Sequence, residues 1–469
     1  MYSLRQKAKL VVAHFMVGNT YPYTTEDWRE DILLASRYGF DGFALNVGQE
    51  SWQLDRVADC FIALQDLSLP FEVFLSFDMS SFPSSTHEDA HRLGDYLRHF
   101  GRHPNYLRYE GRAVISTFAG ESSLFGFGDL DHAWQHVKAV CSNAIKGPVH
   151  FIPSFFIDPR RYPSLKCMDG YFHWNGGWPL HLTPASPRHD VHLPKLDSDL
   201  PHLHHLGRRT YMAAVSPWFF THYGTDSWNK NWIYRSDDHL LVRRWEFLLS
   251  IAHQVDIVQF VSWNDFGESH YISPVRGAQP NSQGWVDNCP HHAWLSLNAL
   301  FIHAFKHTGA YTATPEDNGG VFTHLGSKTS EHHECIWMWS RRHSKHAVAT
   351  NDPVGRPKNW ELTDDEFWVV TLTSSPHMST LNLSTSDSDR SPHVHHIRPS
   401  HAFGQSPQWR LSKFSHSMVP GEGMRAELRR EGKVIVVCDP SLDSSVPFKV
   451  DQDPKIYNFN AFVCSSTSP

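Results

Sequence analysis

Long apolar runs are missing from this 469-residue chain. No window reaches the roughly 18 consecutive apolar residues that span a bilayer, so no membrane partner is expected. Cysteine is scarce, with 7 residues and no CxxC spacing. An odd count so arranged argues against a disulfide scaffold or a zinc ribbon and leaves room for one or two disulfides. Basic residues have no surplus: Lys+Arg 42 minus Asp+Glu 49 is −7, a poor basis for non-specific nucleic-acid binding. The start of the chain lacks the form of a signal peptide. Its apolar run begins only after Lys9, is interrupted by His14, and reads as a first core strand. The G-x-S-x-G elbow is absent as well, and none of the His clusters that follow has HExxH or finger-like Cys/His spacing. The 34 His gather at His202/His204/His205, His291/His292, His332/His333 and His393/His395/His396, in polar loops or at helix starts. They are read as solvated surface, so no metal and no cofactor is expected.

Aromatic residues, by contrast, are plentiful at 13%, including 17 Trp. Exposed Trp and Tyr faces stack on sugar rings, but large barrels also carry aromatics in the core, and composition alone favours the core. A hydrophobic fraction of 40% and a charged fraction of 19% exclude a disordered chain. The length predicts two or three domains.

Over residues 1–311 one pattern recurs: an apolar, β-branched run, then turn residues, then usually an amphipathic stretch. The runs are 9–16, 42–47, 71–77, 113–118, 150–156, 170–174, 210–216 and 256–263. Most are near-continuously apolar, as parallel strands covered on both faces require. Helical stretches are predicted at 25–38, opened by the capping signal Thr24-Thr25-Glu26-Asp27, and at 51–67, 87–100, 131–143, 237–253 and 291–307. Eight such units predict a (β/α)8 barrel, an α/β architecture. Residues 157–169 are too few for a full helix, and residues 175–209, rich in Pro and His, are read as a long loop over the barrel mouth. Over residues 312–469 short alternating runs appear at 321–325, 335–339, 347–350, 367–372, 434–438 and 459–464. Glu431-Gly432-Lys433 between apolar-alternating segments signals a hairpin, and residues 373–407 read as loop-rich. This half is predicted to be a β-sandwich that buttresses the barrel.

Barrel enzymes place their reacting groups at the C-terminal ends of the strands. Those ends carry His14, Asn46, Asp78, Glu121, Asp158, His173-Trp174-Asn175, Trp218 and Trp263-Asn264-Asp265-Phe266-Gly267-Glu268. Asp265 and Glu268 follow the eighth run directly. Two carboxylates in one water-poor cleft push each other's pKa values apart, so that one stays an acid while the other is a base. The same residues also fit a plain loop in which Asp265 caps and Glu268 is solvated. Asp78 fits either a third acid or an Asx-turn, and His14 either a catalytic group or a hydrogen-bonded core histidine. Trp52, Trp174, Trp178, Trp218, Trp228, Trp232 and Trp263 lie near strand ends, as sugar platforms or core.

The motifs Trp263-Asn264-Asp265-Phe266-Gly267-Glu268-Ser269, Phe77-Asp78-Met79-Ser80, Ala13-His14-Phe15-Met16-Val17-Gly18-Asn19 and Gly39-Phe40-Asp41-Gly42-Phe43-Ala44-Leu45-Asn46 together resemble glycoside hydrolase family 71, the fungal α-1,3-glucanases or mutanases. The resemblance implies endo-hydrolysis of α-1,3-glucan with inversion, and a monomer whose partners are that polysaccharide and its oligosaccharides. It implies Asp265 and Glu268 as the essential pair and Asp78 as a third acid. Glu268 is then taken as general acid and Asp265 as base, with Asp78 tuning them or holding a hydroxyl. Should the pair lie too close for a water between them, Asp78 serves as base. His14, Asn46, His173, Trp174, Asn175, Trp218, Trp263 and Asn264 are the expected substrate-binding residues. The family implies an extracellular or cell-wall setting, although no signal peptide and no linker with a carbohydrate-binding tail is recognisable. The rival readings are a glucan-binding barrel without activity, a barrel glycosidase for another polysaccharide, and a metal-dependent hydrolase.

Overall fold

The computed structural model describes residues 9–468 apart from 308, 316–317, 326–332, 386–390, 403–407 and 442–446. The reading of residues 1–8 and of His332 therefore lies outside the described residues. The first half runs β1 (Leu10–Met16), α1 (Thr25–Arg37), β2 (Gly42–Val47), α2 (Gln53–Leu67), β3 (Glu72–Asp78), α3 (Asp89–Phe100), β4 (Arg108–Tyr109), β5 (Arg112–Phe118), α4 (Leu130–Ile145), β6 (Val149–Ser154), β7 (Gly170–His173), α5 (Arg188–His192), α6 (Asp199–Leu206), β8 (Thr210–Val215), β9 (Phe220–His222), β10 (Asn231–Ile233), α7 (Leu240–Ser250), β11 (Ile257–Phe260), α8 (Gln283–Val286) and α9 (Trp294–Lys306). Among the described residues no helix is long and apolar enough to cross a membrane.

All eight apolar runs become strands of one curled sheet, in the order β6-β5-β3-β2-β1-β11-β8-β7, each parallel to its neighbours. β2, β6 and β8 are buried at every position, which is why their sequences are apolar without alternation. The short β4 adds antiparallel to β5. α1 starts where expected. Thr24 Oγ1 accepts from the Asp27 amide while the Asp27 carboxylate accepts from the Thr24 amide.

The two ends of the sheet, β6 and β7, are joined by no ladder among the described residues. Asp169 crosses that seam instead. Its amide donates to the Phe151 carbonyl (2.9 Å) and its carboxylate accepts from the Phe151 amide (2.8 Å). Between β6 and β7 stands only a 3-10 helix at Pro159–Ser164. The fold is thus mixed α/β around a curled parallel sheet.

Residues 175–209 correct an expectation. They hold α5 and α6, elements of 5 and 8 residues that are too short to show a period. Asp199 opens α6 and pairs with Arg244 of α7, both fully buried, while Tyr211 Oη donates to Asp199 (2.7 Å).

The second half forms two antiparallel sheets. One comprises β12 (Tyr311–Thr314), β13 (Gly319–Phe322), β14 (Cys335–Arg341), β15 (Glu366–Thr373), β18 (Trp409–Ser417) and β21 (Ala461–Thr467). The other comprises β16 (Ser379–Thr385), β17 (His393–Ile397), β19 (Met424–Arg430) and β20 (Lys433–Cys438). The segment 347–350 is not a strand. Residues 373–407, read as loop, contain β16 and β17. The expected hairpin is present: Glu431 (φ 50) and Gly432 (φ 78) turn the chain between the paired Arg430 and Lys433.

β14 shows how the halves join. Ile336 and Met338 point into the core shared by the two sheets. Trp337 and Trp339 point the other way, into the core of the parallel sheet and its helices. Trp337 Nε1 donates to Ser296 Oγ of α9 (2.9 Å) and Trp339 Nε1 to the Asp238 carbonyl (3.2 Å). Each indole thus buries its ring and still satisfies its N–H.

Candidate active site

After β11 the chain folds back on itself. The Ser262 amide donates to the His270 carbonyl (2.6 Å), and the Trp263 carbonyl accepts from Ile272 (3.0 Å) and Ser273 (2.9 Å). Inside this loop the Asp265 amide donates to Ser262 Oγ (2.7 Å) and the Glu268 amide to Asp265 Oδ1 (3.2 Å). A Cβ at position 267 would lie 2.5 Å from Tyr223 Oη, so a larger residue there requires that side chain to move. The loop turns Asp265, Glu268 and His270 toward one point, with ligand atoms all within 4.8 Å of one another.

Glu268 is held at both oxygens. Lys230 Nζ donates to Oε1 (2.9 Å), and His270 Nε2 lies 3.2 Å from Oε2. The same His270 Nε2 lies 3.4 Å from Asp265 Oδ2. Since both neighbours are acceptors, Nε2 carries the proton. Burial pushes the Glu268 carboxyl up, but the bonds and charges of His270 and Lys230 outweigh it and hold it well below the usual carboxylate range. Burial and the adjacent Glu268 charge push Asp265 up, against the pull of His270 and Lys230. The two proton affinities are thus pulled in opposite directions, Asp265 upward and Glu268 downward. These directions favour Asp265 over Glu268 as the protonated partner.

Lys230 is opposed by burial but held above its ordinary value by Glu268, Asp265 and Asp78, so one ammonium acts on all three acids. Asp78 ends β3. Its Oδ1 accepts from the Ser80 amide (3.0 Å), the Asx-turn geometry, while burial raises its carboxyl. Asp265, Glu268 and His270 are also the group among the described residues able to hold a metal ion, each with one ligand atom. In this arrangement Lys230 already supplies the positive charge at Glu268.

Several expected binding residues serve the fold instead. Asn264 is buried: its Oδ1 accepts from the Met16 amide (2.7 Å) and its Nδ2 donates to the Met16 carbonyl (3.1 Å), which pins the loop to the end of β1. Trp263 is buried against Phe40 and Phe43. Trp218 is buried beside Trp294 and its Nε1 donates to the Phe459 carbonyl (2.9 Å), so it belongs to the contact between the halves. His173 packs on His202 (4.0 Å between rings) and reaches Ser198 Oγ (3.1 Å), under α6. Trp178 is also buried. In each case a strand end was legible but the direction of its side chain was not.

Others lie at or near the strand ends with varied burial. Trp174 is half-buried, edge-on to His14 (4.8 Å) and Phe118 (4.9 Å), with His270 at 6.4 Å. His14 is pushed down to about 3 by burial and by His270, and its Nδ1 faces Gln259 Nε2 (3.2 Å). It is a neutral imidazole, not an acid. Asn46 lies at the end of β2, its Nδ2 3.4 Å from the Ser76 carbonyl. Asn175 is half-buried beside Trp174. Asp158 and Glu121 accept backbone amides from Arg160 (2.9 Å) and Phe156 (3.2 Å). Trp52 and Trp232 are half-buried, and Trp228 is 55% exposed. His291, expected on the surface, is fully buried between the Tyr271 and Ala461 carbonyls.

Two residues of the site escaped the sequence reading. His270 lies two places after Glu268 in the same segment. Lys230 lies on the β9–β10 hairpin, flanked by Trp228 and Trp232. That hairpin is held by the second half: the Ile233 amide donates to the Lys358 carbonyl (3.1 Å), the Lys358 amide to the Asn231 carbonyl (3.0 Å), and His222 meets Asp352 (2.8 Å).

The profile of glycosyl hydrolase family 71 matches residues 7–469. A glucan endo-1,3-alpha-glucosidase of Schizosaccharomyces pombe is 33% identical over 466 residues, covering 98% of this chain and 96% of that protein. A mutanase of Penicillium rubens is 32% identical over 384 residues, covering 80% of this chain and 75% of that protein. An ascus wall endo-1,3-alpha-glucanase of S. pombe is 32% identical over 390 residues, covering 80% and 81%. Among solved structures, a GH99 endo-alpha-mannosidase from Bacteroides thetaiotaomicron matches with a TM-score of 0.46 at 13% identity, covering 64% of this chain and 98% of that one.

Proposed function

Because the chain belongs to glycosyl hydrolase family 71 and is a glycoside hydrolase, we propose that it cleaves internal bonds of α-1,3-glucan with inversion at the anomeric carbon. The observation that carries the reading is the loop on which Asp265 and Glu268 converge, where burial and the Glu268 charge raise Asp265 while His270 and Lys230 hold Glu268 down. Asp265 holds the proton and gives it to the departing glycosidic oxygen. Glu268 stays ionised, keeps that proton on Asp265, and faces the positive charge that develops on the sugar. Inversion needs carboxyl groups about 6.5–9.5 Å apart with a water between them. Asp265 and Glu268, with ligand atoms within 4.8 Å, leave no such room. The water is therefore assigned to Asp78, three strands away across β2 and β1. Trp174 forms the sugar-stacking wall, with Asn46 and Asn175 as hydroxyl partners.

We read the curled sheet and its helices as a (β/α)8 barrel over residues 1–311, and the two antiparallel sheets as a β-sandwich over residues 312–469. Eight parallel strands in sequence with helices support the first, and the shared core of the two sheets supports the second.

The test is proton NMR of the first products released from an α-1,3-glucan oligosaccharide, alongside reducing-end release from the insoluble polymer. β-anomers are expected. α-Anomers would overturn these roles, because a close pair of carboxylates can act alone by double displacement. Asp265→Asn, Glu268→Gln and Asp78→Asn should each lower turnover by about 10²-fold or more while glucan still binds. Near-normal turnover of Asp265→Asn or Glu268→Gln would refute the site, and binding without any release by the wild-type chain would refute the activity.

A further inference from the structure

Cys438 ends β20, the edge of the four-stranded sheet, and Cys464 lies in β21, the edge of the six-stranded sheet. Their sulfurs are 3.6 Å apart. Cys60, Cys141, Cys167 and Cys289 are buried, and Cys335 contacts the carbonyl of His333. A cavity of about 500 Å³ in the crevice between the halves lies beside the pair, lined by Cys438 and Cys464 together with Asp439, Pro440, Pro290 and Ser296. Cys464 is itself partly exposed.

We propose that Cys438 and Cys464 are a modification site: they close to an intramolecular disulfide by exchange with a small-molecule disulfide, stapling the two sheets to each other. A disulfide bond is about 2.05 Å long, so the sulfurs must approach by about 1.5 Å, within reach of side-chain rotation at two strand edges. The exchange balances in two steps. One protein thiol loses its proton and attacks the reagent, forming a mixed disulfide and releasing one reagent thiol. The second protein thiol then attacks the protein-side sulfur, forming Cys438–Cys464 and releasing the other reagent thiol. Two protein thiols are oxidised and one reagent disulfide is reduced. The contact with Cys438, burial and Asp439 hold the Cys464 thiol high, so the exchange accelerates as pH rises. The link forms in an oxidising compartment and stays open in a reducing one. It crosses a 26-residue separation, so it also constrains the unfolded chain.

The experiment uses the full chain, purified reduced and then incubated folded with oxidised glutathione at mildly alkaline pH. Thiols are then alkylated in denaturant and the protein is mapped by mass spectrometry without reduction. Two of the 7 thiols should disappear, with a peptide joining positions 438 and 464 and a higher unfolding midpoint that reductant reverses. Cys438→Ser and Cys464→Ser, checked as folded by an unchanged circular dichroism spectrum and cooperative unfolding, should each abolish the linked peptide. All thiols remaining free, a stable glutathione adduct without the link, or a pairing that involves another cysteine would each overturn the proposal. None of these outcomes depends on the catalytic assignment.

Discussion

Replacing Lys230 with Met removes the ammonium that sits 2.9 Å from Glu268 Oε1. The lysine side chain is 46% exposed and that of Glu268 23%, so water screens the pair. With an effective dielectric of about 40 to 80, Coulomb's law gives about 1.4 to 2.9 kcal/mol at this distance. That corresponds to about one to two pH units of proton affinity. The sign follows from the site. Lys230 helps hold Glu268 low against its burial, so removing it raises that carboxyl and makes Glu268 take up a proton at higher pH. The acid limb of kcat/KM should therefore move upward by less than that, because it also carries Asp78, whose raised carboxyl Lys230 holds down only through space. Asp265 should follow by less, since Lys230 acts on it only through space. The assay is the pH dependence of reducing-end release from soluble α-1,3-glucan oligosaccharides, with the unfolding midpoint measured alongside. Lys230→Arg keeps the charge and should leave the limb near its original place. An unmoved limb in the Met variant, or an equal shift in both variants, would refute the reasoning.

Three further outcomes follow from burial. Asp31 is buried, accepts from Tyr23 Oη (2.8 Å), and is pushed up from 3.8 to about 6 mainly by burial. The folded protein thus keeps a proton that the unfolded chain gives up, and stability falls as pH rises through that interval. Asp31→Asn should gain up to about 3 kcal/mol in urea unfolding near pH 8 and little near pH 4, whereas an equal change at both would be contrary to this account. Trp218→Ala should cost about 3–5 kcal/mol, read as a lower unfolding midpoint, because it empties a packed indole site between the halves. An unchanged midpoint with a raised KM would instead return Trp218 to the sugar. Arg244→Met should cost about 3–5 kcal/mol by leaving Asp199 charged, buried and unpaired, and the double variant with Asp199→Asn should recover part of that loss, measured by the same unfolding assay.

Much of the fold was legible because the relevant information is local. The apolar runs predicted every strand of the parallel sheet, the Thr24–Asp27 box predicted the start of α1, and Glu431-Gly432 predicted the turn between β19 and β20. Elements were missed where local signals are weak. α5 and α6 are short and rich in His, while β16 and β17 sit among Ser, Thr and Asp that read as loop. The surplus of aromatics was legible as a number but not as an assignment. Trp174 is half-buried beside His14 and His270, whereas Trp218, Trp263, Trp337 and Trp339 are buried, and nothing in their immediate neighbours distinguishes the two groups.

The sequence by itself determined the eight strands of the parallel sheet and the longer helices between them, the position of the eighth strand end, and the candidacy of Asp265 and Glu268, because periodicity and short motifs are properties of contiguous residues. Only the tertiary structure decided what those carboxylates meet. Lys230 reaches Glu268 from 38 positions away. Met16 claims the Asn264 amide across 248 positions, and Phe459 claims the Trp218 indole across 241. Proton affinity and burial depend on such distant neighbours, since charge interaction and desolvation act through space rather than along the chain.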